Sequence, residues 1–154
     1  MAMQSSETHP ALSRTDGIAS ASGDVLVLVG RILLGWLFLA SGWGKFMNVA
    51  GTTAYFTGLQ LPSPEIWTWV AVIIELVLGV TLILGIATRY AALAAFVFVL
   101  VATVIAHRYW TYPAAQQGAQ YANMLKNLAI MGGALLAFVT GAGRVSLDTW
   151  IAKR

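Results

Sequence analysis

The sequence predicts an all-α integral membrane protein, a four-helix bundle with an ordered outer loop between its first and second helices. Three observations carry that class. Of 154 residues, 58% are hydrophobic and only 10% charged, with a mean hydropathy of +0.75, whereas an average soluble domain is about 25% charged. Four apolar runs, each long enough to cross about 30 Å of hydrocarbon as a helix, follow one another along the chain. The strict alternation of a membrane β-strand is absent. This composition excludes a soluble enzyme domain, a disordered chain and a nucleic-acid-binding module. The net charge of +3 and pI near 9.5 therefore concern orientation in a membrane. With no cysteine in the chain, disulfide exchange, iron–sulfur clusters, thiolate nucleophiles and cysteine-type zinc are excluded as well.

Residues 1–24 are polar, rich in Ser, Ala and Thr, and lack a hydrophobic period; they read as a disordered cytoplasmic tail. The membrane domain is expected over 25–148. Its first segment runs from Val25 to about Phe46, interrupted by Arg31 and closed by Lys45. The second spans Ile66–Ala87, with Glu75 near its middle, and the third spans Tyr90–Ala106, followed by His107 and Arg108. The fourth runs from about Tyr121 to Thr140 and carries Asn123, Lys126 and Asn127. A short cytoplasmic tail, 149–154, closes the chain. Between the first two segments, Tyr55, Phe56, Leu59 and Leu61 make the connection apolar enough to lie on the membrane or cap the bundle. The small-residue steps Ala40–Gly44 and Gly132–Gly133 permit close helix packing, and a homo-oligomer is compatible with them.

Basic flanks set the expected orientation. With the N-terminus inside, Arg14, Arg89, Arg144, Lys153 and Arg154 fall on the inner side, against Lys45 and Arg108 outside. Both termini are therefore expected in the cytoplasm.

An ionisable residue within the membrane needs a partner or a cavity. Arg31 and Glu75 are expected to pair across the first two helices, with a proton-relay role as the alternative for Glu75. Lys126 enters from the outer side beside a polar stripe of Gln116, Gln120, Asn123 and Asn127, which share one helical face. Amides on that face cannot point into lipid without an expensive loss of hydrogen bonds. Lys45 and His107 end their helices on the same side. Together they form an outer cluster of Lys45, His107, Lys126 and Asn127 suited to an anionic or carbonyl-bearing ligand, a quinone or a lipid headgroup. Trp43, Trp67 and Trp110 read first as an aromatic belt and second as rings that stack on such a ligand. For Lys126 the plain alternative is snorkelling to the interface, and for His107 a helix-terminal cap.

Six stretches carry a family resemblance: RILLGWLFLASGWGKF at 31–46, GLQLP at 58–62, IELVLGVTLILGIATR at 74–89, HRYW at 107–110, KNLAIMGG at 126–133 and GAGRVSLD at 141–148. In that order they resemble the DoxX family of bacterial membrane proteins, over nearly all of 25–148. The resemblance implies a four-helix bundle in the bacterial inner membrane. It implies kinship with the small membrane subunit of a thiosulfate:quinone oxidoreductase, and with membrane partners of superoxide-detoxifying and thiosulfate-handling enzymes. Arg31, Lys45, Glu75, His107, Lys126 and Asn127 are the polar positions that match the family pattern.

The expected function is that of a membrane subunit of an oxidoreductase system. It would hold a quinone or lipid near the outer leaflet and link it to a soluble or periplasmic redox enzyme. His107 would move protons, and Lys126 would donate to the ligand. No haem, flavin, iron–sulfur or metal site is expected within this chain, and no motif for a nicotinamide is present. The competing class is non-catalytic: an anchor or scaffold, or a transporter of lipid or small molecules.

Overall fold

The computed structural model describes residues 10–154. Its elements are α1 (Pro10–Met47), α2 (Val49–Gly58), α3 (Pro64–Leu84), α4 (Thr88–Ala106), a 3-10 turn at Tyr109–Thr111, α5 (Ala114–Thr140) and α6 (Leu147–Ala152). Four of these helices are long and apolar enough to cross a membrane, with spans at Ala21–Met47, Pro64–Leu84, Thr88–Thr111 and Ala114–Thr140. The all-α, four-span reading therefore holds, and among the described residues there are no strands. One expectation is corrected. The tail read as disordered is helical from Pro10 onward, where Ala, Ser and Leu without an internal proline let α1 extend beyond the apolar run. The expectation for residues 1–9 lies outside the described residues. At the other end, most of the expected C-terminal tail belongs to α6.

α1 packs most extensively on α3, and α4 on α5; α3–α4 and α5–α1 contacts close the ring. The α1–α3 approach is close because glycines leave room for it. A Cβ on Gly79 would sit 2.7 Å from the Leu39 backbone, and one on Gly42 would sit 2.9 Å from Glu75 Cβ. In lipid, where no hydrophobic force drives helices together, such contact is the main attraction. The Ala40–Gly44 step does not serve this purpose: a Cβ at Gly44 or Gly132 would meet nothing within 4 Å, and one at Gly133 only Leu34 at 4.0 Å. The core is filled by Phe38, Leu78, Leu82, Val99 and Met131 with Ala91, Ala92, Ala95 and Ala134, and Phe38 meets Phe98 edge-on at 6.4 Å.

The two ends of the bundle are built differently. At the α6 end, Gly85 (φ 70) and Ala87 (φ 47) turn the chain tightly from α3 into α4. The Asp148 carboxylate of α6 accepts from the N–H groups of Ala87 (2.7 Å) and Thr88 (2.9 Å) and from the Thr88 hydroxyl. It thereby caps α4 and holds a non-glycine residue in the left-handed region. Burial opposes ionisation of Asp148, but these bonds and the charge of Arg31 outweigh it and hold the carboxyl below the usual range. Arg89 donates to the carbonyls of Phe138 and Val139 at the end of α5.

At the opposite end α2 forms a roof. Asn48 caps it by accepting from Gly51 N–H at 3.0 Å. The hydroxyls of Thr53 and Thr68 meet at 3.0 Å and tie the roof to α3. Tyr55 of α2 stands beside Tyr112, and burial together with that neighbour pushes its phenol up to about 12.

Candidate functional site

The register of α1 against α3 decides which charges meet. Glu75 lies level with Gly42, one turn from Lys45, and the Lys45 ammonium donates to its two carboxylate oxygens at 2.9 and 2.7 Å. The expected Arg31–Glu75 pair is thereby corrected. Arg31 is three turns further along α1, about 16 Å away at 1.5 Å per residue, too far even for a guanidinium. Arg31 is 2% exposed and donates instead to the carbonyls of Leu82 and Val145, with Nε left without a partner among the described residues. It fastens the loop before α6 to the bundle. Lys45 does not sit at the outer edge, because α3 and the α2 roof continue past it.

The α4–α5 wall brings the other polar residues to the same level. His107 caps α4 through its N–H to Thr103 O, and its Nδ1 meets Gln120 Oε1 at 2.8 Å. Asn127 is buried and donates to Thr103 Oγ1 at 2.9 Å. Lys126 donates to Asn123 Oδ1 at 3.1 Å and is exposed. Of the four amides of the polar stripe, Gln120 and Asn127 thus have partners on α4 or its cap, Asn123 is bonded to Lys126 on its own helix, and Gln116 is exposed.

Between the two helix pairs, under the roof, lies a cavity of about 670 Å³, within the range of small-molecule sites. Lys45, Glu75, His107, Lys126 and Asn127 all line it, together with Ser41 and the rings of Phe56, Trp67 and Phe98. Its remaining walls are aliphatic. Val97, Val101 and Trp67 line it while also lying exposed on the outside of α4 and α3, so the cavity opens sideways, where acyl chains would lie. The result is an apolar slot with a polar head region, the form required by a lipophile with an oxygen-bearing head.

Not every expected site residue is there. Arg31 is at the far end of the bundle. Trp43 stacks at 5.5 Å on Phe46, which meets Trp69, and Trp110 packs edge-on against Tyr109; neither Trp43 nor Trp110 lines the cavity. Sequence reasoning missed Ser41, an unremarkable helical serine until its bond from Lys45 (2.7 Å) is seen. The signal available was its spacing of four from Lys45, which places both on one face.

Comparison with known proteins agrees with this architecture. The profile of the DoxX family matches residues 26–108. The chain belongs to the DoxX family. It is similar to the inner membrane proteins YphA and YqjF of Escherichia coli (strain K12), at 34% identity to each. Those alignments cover 83% and 85% of this chain and 91% and 95% of the relatives. CatD of Bacillus subtilis (strain 168), named as a proposed oxidoreductase, is 32% identical over 54% of this chain and 60% of its own. No solved structure matches the chain. This DoxX protein is thus a multi-pass membrane protein with inner-membrane relatives, as its apolar helices require.

Proposed function

We propose that this DoxX protein is the quinone-binding membrane subunit of an oxidoreductase system. The observation that carries the reading is the laterally open cavity, whose walls are apolar and aromatic and whose polar groups gather at one end. A quinone fits those residues: its ring can lie against Trp67 and Phe98, its tail can leave between α3 and α4, and its oxygens meet donors at the head. When bound, the quinone supplies a lipid-soluble two-electron acceptor. Lys126 has two N–H groups beyond its bond to Asn123 and offers them to a ligand oxygen. With Nδ1 engaged by Gln120, His107 has Nε2 left to hold or pass a proton at the head of the cavity. The Lys45–Glu75 pair keeps a charge-neutral, hydrogen-bonded floor beneath it. Electrons come from a partner redox enzyme outside the membrane, a role consistent with the oxidoreductase name given to CatD. By the distribution of basic flanks, the cavity head faces the outer leaflet.

Fluorescence tests the reading, because Trp67 is the one tryptophan among the described residues that lines the cavity. Decylubiquinone titrated into protein in lipid nanodiscs should quench emission saturably. Trp67→Phe should remove most of the saturable part, and Lys126→Met should weaken binding about tenfold, the worth of one charge-assisted hydrogen bond. Quenching that rises only linearly, as for a quinone partitioning into lipid, would contradict the proposal and leave an anchor or scaffold as the better account.

A further inference from the structure

Counted donor by donor, the cavity wall leaves one hydroxyl unspent. The Lys45 ammonium has three N–H groups. They go to Ser41 Oγ at 2.7 Å and to the two Glu75 oxygens at 2.9 and 2.7 Å. While the pair stands, Lys45 has nothing left to give a ligand. Ser41 accepts one of those bonds, and among the described residues no acceptor takes its own O–H. That is unusual in this bundle. Thr68, Thr81 and Thr103 all return theirs to a carbonyl four residues back, the ordinary fate of a helical hydroxyl in an apolar setting. Ser41 lines the cavity, so its proton is available there. Accepting from an ammonium also polarises a hydroxyl and makes it a stronger donor.

We infer that Ser41 is the ligand-contacting donor on the α1 wall, and that through it the cavity selects the oxidised, carbonyl form of its lipophile over the reduced, hydroxyl form. This rests on the quinone reading above and deepens it. A conjugated carbonyl oxygen is a better acceptor than a phenolic one and brings no proton of its own to place. Beside Ser41 the nearest ammonium already holds all its bonds, so a second O–H must compete with Lys45 for Glu75. A quinone carbonyl meets a ready donor and disturbs neither. Preference for the oxidised form suits a site where the partner enzyme reduces the quinone, with the reduced product held less tightly and released.

The test compares wild type, Ser41→Ala and Ser41→Thr in nanodiscs. Decylubiquinone is titrated by fluorescence quenching, and decylubiquinol is measured anaerobically by its displacement of the quinone. Wild type should bind the quinone about tenfold more tightly than the quinol. Ser41→Ala should lose most of that preference by weakening quinone binding, while Ser41→Thr, which keeps the hydroxyl, should retain it with Tm within a degree or two of wild type. Equal binding by wild type and Ser41→Ala would overturn the inference while leaving the quinone site standing. So would a loss in Ser41→Thr as large as in Ser41→Ala accompanied by a fall in Tm, which marks a packing role. No saturable binding of either form to wild type would instead overturn the quinone reading itself.

Discussion

Breaking the Lys45–Glu75 pair from one side should destabilise the bundle far more than replacing both partners. The two side chains are only 26% and 8% exposed, and Lys45 makes two charge-assisted bonds to the carboxylate. At about 1.5–3 kcal/mol each, those bonds agree with the roughly 3–5 kcal/mol measured when one member of a buried pair is removed. The cavity gives Lys45 some access to water, so the lower half of that range applies. Lys45→Met and Glu75→Leu are each expected to cost about 3 kcal/mol, whereas the double variant should lie within about 1 kcal/mol of wild type, because an apolar pair of similar volume replaces a desolvated ionic one. Unfolding by SDS in mixed micelles, followed by far-UV circular dichroism, measures all four corners of the cycle. With those costs the coupling energy should be about 5 kcal/mol or more. A parallel cycle between Arg31→Met and Glu75→Leu should be additive within about 0.5 kcal/mol, since those residues share no partner. Additive Lys45 and Glu75 effects, or strong coupling of Glu75 to Arg31, would refute the register argument.

Three further outcomes follow from the same geometry. Gly79→Ala places a Cβ 2.7 Å from the Leu39 backbone and should lower stability in the SDS titration by about 1–3 kcal/mol, while Gly44→Ala, with nothing within 4 Å, should change it by less than about 0.5 kcal/mol. Asp148→Asn should cost about 1–2 kcal/mol as a lost helix cap. Because the folded-state carboxyl lies below its ordinary value, the wild-type advantage is present above about pH 4 and disappears as pH falls below that; an acid titration of both proteins should show the curves converging. Reporter fusions at residue 154 and within 113–118 should lie in opposite compartments, with 154 cytoplasmic. Cytoplasmic labelling of 113–118 would place the cavity head in the inner leaflet.

Sequence was a good guide to the spans, because hydrocarbon thickness and backbone satisfaction leave few alternatives. It was also a good guide to the grouping of Lys45, His107, Lys126 and Asn127, which all line one cavity, because the order of the spans puts Lys45 and His107 on the side of the membrane from which the chain enters α5. It failed on partners. Depth counted from segment ends put Glu75 opposite Arg31, but the true register is set by Gly42 and Gly79, whose role appears only when α1 and α3 are docked. Trp43 and Trp110 carried no mark distinguishing a ring on the lipid face from one in the cavity, since belt and lining residues share composition and depth. Ser41 was invisible for another reason: its importance lies in which hydrogen bonds its neighbours have already used.

The most direct test of the quinone assignment is the identity of what the protein carries out of its own membrane. Wild-type protein extracted gently from quinone-containing membranes and analysed by mass spectrometry should retain a quinone in stoichiometric amount, and Lys126→Met, prepared identically, should retain much less. A phospholipid alone in that position, or no bound lipophile in either protein, would contradict the account.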